Sequence, residues 1–299
     1  MRRVVGRPYR PIPTVGRTLV ARRLDRVHES ASRARPARDR GLRWWKELLF
    51  VGGFYGVYTF IRDQFGSASV GATHARHNAE RLIRLERALG LFHEQAVQHW
   101  FLAWPWLVRL MNLYYGSLHF VVPIAVLVVS FRRWPEDYRL WRNTLAATTG
   151  LALIGFSLFP LMPPRLLCDC AYGAGPGFHY GFVDTLVRYG GSWSFDSGAM
   201  KDVSNQYAAM PSLHVAWALW CTWVLVPRLR STWAKALAVL YPAITILAVV
   251  VTGNHFVLDA VGGALTLGAG YLVGRAVTRV GERRRARRPL LVGSVPDPS

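Results

Sequence analysis

Long runs of apolar residues separated by short polar connections dominate the hydrophobic pattern of the chain. A helix needs roughly 17–25 residues to cross a bilayer. Six runs approach or reach this length, at residues 44–61, 106–131, 140–161, 210–226, 233–251 and 255–277. Lys46 and Glu47 lie inside the first run and must extend toward the membrane surface. The pattern predicts an all-α polytopic membrane protein with six transmembrane helices in a bundle.

Two further segments are predicted outside the bundle. Residues 74–89 place apolar side chains at helical spacing, which indicates an amphipathic helix at the outer membrane interface. Residues 162–207 are rich in glycine and aperiodic, which predicts a long outer loop of the kind that often covers a functional site. Cys168 and Cys170 in this loop are compatible with a strained local disulfide or a metal pair.

Basic residues supply the orientation of the helices. The formal net charge is +20, and Lys and Arg concentrate in residues 1–46, 132–142, 227–235 and from 275 onward, whereas 162–207 is close to balanced. If the six spans cross the membrane in alternating directions, all the basic segments fall on the same side of the membrane. The positive-inside rule makes that side cytoplasmic. We therefore expect a multi-pass plasma-membrane protein with both termini in the cytoplasm and the 162–207 loop outside.

These features divide the chain into three parts. We expect a disordered polybasic cytoplasmic arm at 1–43, a six-helix membrane catalytic domain at 44–278 and a basic cytoplasmic tail at 279–299. A polybasic arm beside a bilayer is attracted to anionic lipids. No aromatic interleaving or nucleic-acid-binding motif accompanies it, so the bilayer is the expected partner and nucleic acid is not.

Two histidines lie at the outer ends of predicted spans. His214 follows Met210-Pro211-Ser212, and His255 precedes Asp259 by four residues. Ionisable groups in membrane segments are costly and usually mark function. Residues four apart share a helix face, so Asp259 can orient the His255 imidazole and leave its other nitrogen nucleophilic. The two histidines and the aspartate are the candidate catalytic residues.

Candidate phosphate-binding groups surround these histidines. The proline before Ser212 predicts a helix start there, so the Ser212 hydroxyl and the N–H groups of Leu213 and His214 would form an anion cradle. Asn254 is predicted to cap a second helix start beside the first. Prolines that end the third span place Arg165 at the same level, where a guanidinium can bind phosphate.

A polar row in the second span adds two candidates for a substrate pocket. Tyr114 and His119 lie deep in an apolar segment and must face other helices or a wet cavity. Hydrogen bonding between helices explains such residues equally well.

The combination of these motifs resembles the type 2 phosphatidic acid phosphatase superfamily. Pro211-Ser212-Leu213-His214 and the His255/Asp259 pair are similar to its second and third signature motifs. Pro163-Pro164-Arg165 and Thr252-Gly253-Asn254-His255 resemble more closely its inositol-phosphotransferase branch, which includes the inositol phosphorylceramide synthases. The resemblance extends over about residues 44–278.

The resemblance implies a metal-independent lipid phosphotransferase or phosphatase with a phosphohistidine intermediate. His255 would attack the lipid phosphate, Asp259 would orient it and His214 would protonate the leaving oxygen. The phosphatase pattern has a lysine seven residues before the arginine that Arg165 matches and an arginine six residues before the histidine that His255 matches. In this chain those positions hold Leu158 and Val249. The loss of these two cations favours a singly charged phosphodiester and transfer to an alcohol or inositol-type acceptor, with a phosphatase using water as the alternative.

Two other classes of protein can place histidines in membrane helices. A bis-histidine haem protein uses two imidazoles as axial ligands, although such a ligand gains nothing from a Pro-Ser helix start. A proton-coupled transporter would use His119, His214 and His255 as a relay, and paired broken helices in two similar halves would support it. The sequence shows no such symmetry.

Overall fold

The computed structural model describes residues 43–47, 49, 52, 53, 56, 72–167, 180–190 and 206–286. Over this part of the chain the regular structure is helical, apart from one isolated parallel bridge between Leu161 and Ala208. The all-α prediction is confirmed. Most of the first predicted span (44–61), and both Cys168 and Cys170, lie outside the described residues.

Seven long or medium helices and two short ones follow each other in the described chain from residue 72 onward. They are α1 (Ala72–Ala88), α2 (Glu94–Leu102), α3 (Pro105–Arg133), α4 (Pro135–Leu158), a 3-10 turn (Pro164–Leu167), α5 (Thr185–Tyr189), α6 (Leu213–Leu225), α7 (Thr232–Val251) and α8 (Val257–Ala286). Proline at the first position starts both α3 and α4, where its missing N–H costs nothing.

Within the described part of the chain, three helices are long and apolar enough to cross a membrane, namely α3, α7 and α8. They correspond to the second, fifth and sixth predicted spans. Helix α6 is apolar but has only 13 residues, and the first turns of α4 carry Glu136 and Asp137. The structure therefore confirms three of the six predicted spans as membrane-length helices. Helix α8 also continues to Ala286, nine residues past the predicted end of its span.

Helices α4 and α8 pack closely because glycines remove the side chains between them. A Cβ atom added to Gly274 would lie 2.6 Å from the backbone nitrogen of Thr144, and one added to Gly270 would lie 2.8 Å from that of Thr148. Real side chains do not tolerate such distances. Small residues of this kind let helix backbones approach directly within membranes.

Replacing Gly274 with alanine should therefore destabilise the protein, by about 1–3 kcal/mol, since the added methyl group must push α4 away. A Cβ atom added to Gly268 on the same helix would meet no described atom within 4 Å. Its replacement by alanine should be neutral or stabilising, by about 0.5–1 kcal/mol, because glycine weakens a helix interior. Thermal unfolding in detergent measures the stability of both variants. Equal stabilities of the Gly274 and Gly268 variants would contradict this close packing of α4 and α8.

Helix α1 packs against other segments of the protein. Its buried side includes Ala75, Ala79, Leu82 and Ile83, which form an apolar cluster with Phe256 and the segment after α4. Two other apolar residues at helical spacing in this segment, Leu85 and Leu89, are about half exposed, at 50% and 56%. The buried side of α1 also contains a glutamate, Glu86.

The basic segments 132–142 and 227–235 lie at the end of the helices where α4 begins and α6 ends. Arg228, just after α6, pairs with Asp137 in the first turn of α4. The guanidinium also lies over the rings of Trp134 and Trp141. The opposite end, where α4 ends and α6 and α8 begin, holds the candidate catalytic residues.

Candidate active site

Three loop segments meet where α4 ends and where α6 and α8 begin. The N–H of Arg165 donates to the carbonyl of Gly253 at 2.7 Å, and the N–H of Ser212 donates to the carbonyl of Asp259 at 3.0 Å. Gly253 has φ +67° and lies against the Arg165 backbone, which explains glycine at this position. Residues far apart in the sequence are thereby brought to one place.

His255 is nearly enclosed, with 4% of its surface exposed. Its Nδ1 lies 2.8 Å from the Ala209 carbonyl oxygen and 3.4 Å from Oδ2 of Asp259. A carbonyl oxygen only accepts hydrogen bonds, so Nδ1 carries the proton and Nε2 has the free electron pair. This is the state required of a nucleophilic imidazole.

Asp259 is completely buried and serves both the histidine and its own helix. Its Oδ2 accepts the N–H of Phe256 at 2.9 Å. Because Phe256 precedes the first residue of α8 and Asp259 is the third, this is the carboxylate half of a capping box. Oδ1 has no hydrogen-bond partner among the described residues. The Ala209 carbonyl, which the sequence did not indicate, therefore holds the His255 proton more closely than Asp259 does.

His214 is in direct contact with His255. Its Nδ1 lies 3.3 Å from His255 Nε2, and the two ring centroids are 5.3 Å apart. Since His255 Nε2 is the acceptor, His214 Nδ1 must be the donor. That leaves His214 Nε2 as the nitrogen available for proton transfer, and it is buried without a partner in the described structure.

A third histidine and a tyrosine complete the aromatic surroundings. The ring of His119 lies 3.9 Å from that of His214, and the ring of Tyr115 stacks on His214 at 4.2 Å. His119 Nδ1 bonds to the Tyr115 carbonyl at 2.9 Å. The predicted pocket residue Tyr114 is instead directed to α7, where its hydroxyl bonds to Thr245 at 2.7 Å. Tyr114 joins helices, and its neighbour Tyr115 contacts the histidines.

Ser212 caps α6, which begins at Leu213. Its side chain accepts the N–H of Val215 at 3.4 Å. The predicted helix start at the preceding proline is thus two residues too early. The first N–H groups of a helix, here Leu213 and His214, have no intrahelical partners and lie at its positive end. The geometry is compatible with the predicted anion cradle.

Arg165 is buried, with 4% exposed, and its direction is fixed by two partners. Nε donates to Oδ1 of Asn254 at 3.0 Å, and Nη1 donates to Oδ2 of Asp184 at 2.9 Å. Asn254 also donates to Thr252. Its amide therefore orients the arginine in this structure, whereas the sequence suggested direct phosphate binding. Asp184 was not predicted, because its segment has no periodic pattern.

The second predicted helix start differs from the first. The N–H groups of Val257 and Leu258 are accepted by the carboxyl groups of Glu94 and Glu86, and that of Phe256 by Asp259. These three N–H groups are therefore occupied by carboxyl groups of the protein and are not available to bind an anion. Of these two described helix starts, the one at α6 is the one that leaves an anion cradle.

Among the described residues, no group of three or more His, Cys, Asp or Glu is placed so that it could hold a metal ion. Comparison with protein families gives one finding: the family model described as the PAP2 superfamily matches residues 80–273. That range is more than half of the chain and includes every site residue described above. No curated protein and no solved structure matches the chain.

Proposed function

The chain belongs to the PAP2 superfamily, which implies phosphatase or phosphotransferase chemistry, and on that premise we propose a specific reaction. The protein transfers or hydrolyses a lipid-linked phosphoryl group through a phosphohistidine on His255. One observation carries this proposal: the Nδ1 proton of His255 is held by the Ala209 carbonyl while its Nε2 faces His214. A nucleophile and a proton carrier are thereby paired.

In the first step His255 Nε2 attacks phosphorus and the bond from phosphorus to the leaving oxygen breaks. Protonated His214 gives its Nε2 proton to that oxygen. The contact of 3.3 Å between the two histidines must open to admit the phosphoryl group. Asp259 stabilises the positive charge that develops on the His255 ring.

In the second step neutral His214 accepts a proton at Nε2 from the hydroxyl of water or an alcohol. The acceptor oxygen bonds to phosphorus, and the phosphorus–nitrogen bond breaks with its electron pair returning to His255. The start of α6 (Ser212 and Leu213) and Arg165 stabilise negative charge on the phosphoryl oxygens in both steps. His119 and Tyr115 form the wall behind His214.

We further propose that the substrate is a singly charged phosphodiester and the acceptor an alcohol of the inositol type. Val249, at one replaced cationic position, is buried in an apolar cluster with Val215 and Ala260. Leu158, at the other, is 78% exposed and carries no charge. A phosphomonoester dianion would lack two cations that could neutralise it.

We propose that this chemistry takes place on the non-cytoplasmic face of the plasma membrane. Arg228 and its basic loop lie at the start of α4, at the opposite end of that helix from the histidines, and basic loops stay in the cytoplasm. Both termini would then be cytoplasmic. A reporter fused to either terminus and found outside the cell would move the site to the inner leaflet.

Purified protein in detergent, incubated with radiolabelled lipids, tests the function. Phosphatidylinositol with an alcohol acceptor should yield a transferred headgroup phosphate, whereas phosphatidic acid should release little inorganic phosphate. Preferred release from phosphatidic acid would identify the phosphatase. Proton transport in vesicles without lipid cleavage would favour a transporter, and a Soret band lost on changing either histidine would favour haem.

Replacing Asp259 with asparagine should lower kcat about 10²- to 10³-fold, less than the roughly 10⁴-fold loss on changing the aspartate of a serine-protease triad. The reason is the Ala209 carbonyl, which still holds the Nδ1 proton and the correct tautomer. KM should change little. A loss as large as that of a His255 variant would show that Asp259 alone sets the tautomer.

A further inference from the structure

Two carboxyl groups from other helices hold the first turn of α8. Oε1 of Glu94 accepts the N–H of Val257 at 2.9 Å, and Oε1 of Glu86 accepts the N–H of Leu258 at 2.8 Å. Both glutamates are buried, with exposures of 1% and 0%. We call this pair, Glu86 and Glu94, the carboxyl clamp. It joins α1 and α2 to the start of α8.

The clamped residues lie between the two members of the candidate catalytic pair. His255 is two residues before Val257, and Asp259 is the residue after Leu258. A shift in these peptide units therefore moves the imidazole and its carboxylate relative to Ala209 and His214. Misplacement of a reacting group by about 1 Å can cost about a hundredfold in rate.

Burying two glutamates side by side is costly unless hydrogen bonds compensate for the lost hydration. Each uses one oxygen on α8, and each Oε2 is buried with no hydrogen-bond partner in the described structure. A neutral cap would satisfy the same two N–H groups at a lower desolvation cost. The use of two acids indicates a role beyond simple capping.

We propose that Glu86 and Glu94 are positioning residues that share one proton and fix the start of α8, thereby aligning His255 and Asp259 for phosphoryl transfer. The proposal rests on the function proposed above. The proton sits between the two carboxyl groups, so that one donates and the other accepts. Loss of this proton brings two negative charges together beside Asp259.

The electrostatic surroundings agree with a retained proton. Burial raises the pKa of Glu86 to about 8, the Leu258 N–H opposes the rise, and Glu94 and Asp259 add to it. Glu94 comes from α2 and Asp259 from α8, next to His255. On α1 itself the neighbouring Arg87 lies over the rings of Phe92 and Tyr180. The acidic neighbours thus favour the protonated form.

The direction of the pH effect follows from the raised pKa. The ordinary value for Glu86 is 4.5 and the folded value is about 8, so the folded protein keeps a proton that the unfolded chain has released. Its contribution to stability is lost progressively as pH rises from 4.5 toward 8. In the folded enzyme the proton leaves near pH 8, and kcat should fall there as the clamp opens.

The test compares E86A, E86Q and E94Q with E80Q, a matched control on α1. Glu80 pairs with Arg76, one turn earlier on the same helix. We expect E86A to lose kcat by 10- to 100-fold, with little change in KM. E86Q should rescue most of that loss, because its amide still accepts from Leu258 and can donate to Glu94, and it should abolish the fall of kcat near pH 8. E80Q should keep the wild-type profile.

An unchanged kcat in E86A, or the wild-type pH profile in E86Q, would overturn the proposal, as would an E80Q profile that matches E86Q. Thermal unfolding between pH 5 and 9 gives a readout independent of activity. Wild type should lose stability relative to E86Q as pH rises toward 8, and parallel curves would overturn the shared proton. If wild type turns over no lipid phosphate, the proposed function fails, and the unfolding curves still decide the shared proton.

Discussion

Replacing His255 with alanine is expected to abolish turnover, with a loss of kcat on the order of 10⁴- to 10⁶-fold, as found when a covalent nucleophile is removed from other enzymes. Neither of the other two site histidines has the Ala209 carbonyl and the Asp259 carboxylate that prepare His255 for attack. His214 Nδ1 is directed at the removed ring and His119 Nδ1 at the Tyr115 carbonyl. The initial rate on the preferred lipid substrate measures the effect.

The matched control is His77, which is exposed on α1 and distant from α8 in sequence. Its replacement by alanine should leave kcat and KM near wild type. Both variants should unfold cooperatively in detergent, which separates a chemical effect from misfolding. Turnover by the His255 variant within tenfold of wild type would contradict a covalent role for this residue.

The His214→Ala variant should show a loss that depends on the leaving group. A lipid alkoxide needs a proton as it departs, so removal of the general acid should cost on the order of 10²- to 10⁴-fold. A p-nitrophenyl phosphate ester releases nitrophenolate, a stabilised anion that needs no proton as it departs. The first step on that substrate, measured as a burst of nitrophenolate in a single turnover, should stay within about tenfold of wild type.

Comparing the two substrates in the same variant provides the control, because a defect in folding or in phosphate binding would slow the reaction of both substrates equally. An equal loss of the burst on both substrates would show that His214 binds phosphate or supports the site and does not donate the proton. Slow turnover after a normal burst is expected, since the same Nε2 nitrogen activates the acceptor in the second step.

Sequence patterns were sufficient where the signal is local. His255 and Asp259 are four residues apart, so helix geometry places them on one face. Pro160 and the prolines after it predicted that the helix before Arg165 ends there, and α4 does end at Leu158. The membrane-length apolar runs predicted α3, α7 and α8. Each of these features follows from residues within one or two turns.

Features that depend on packing between distant segments were missed. Glu86 lies in an amphipathic helix whose charged residues usually face water, and its partner Leu258 is 172 residues away. Tyr114 and Tyr115 are adjacent, so a rotation of about 100° decides which of them meets the histidines. Asp184 lies in an aperiodic segment, and only the fold brings it to Arg165. Pattern alone carries no information on these contacts.

Local patterns also did not predict how long the apolar helices are. Helix α6 has 13 residues because Ser212 caps it, and an apolar run that includes Met210 and the residues after it overestimates its length. The early turns of α4 are polar, and Asp137 there pairs with Arg228, which follows α6. Hydropathy describes a run of residues and does not show where its helix begins.

Trapping the phosphoryl-enzyme tests the central claim most directly. Wild type, quenched with denaturant during turnover of a lipid labelled in its phosphate, should retain the label on the protein. A phosphohistidine is labile in acid and stable in alkali, and tryptic mapping should place the label on the peptide that contains His255. The account predicts that the His214→Ala variant retains the label when it is given a p-nitrophenyl phosphate ester labelled in its phosphate, because the first step then needs no proton and the second step is slowed. The label is lost with either substrate in the His255→Ala variant. A label that survives in the His255 variant, or turnover by wild type with no label retained in any variant, would contradict it.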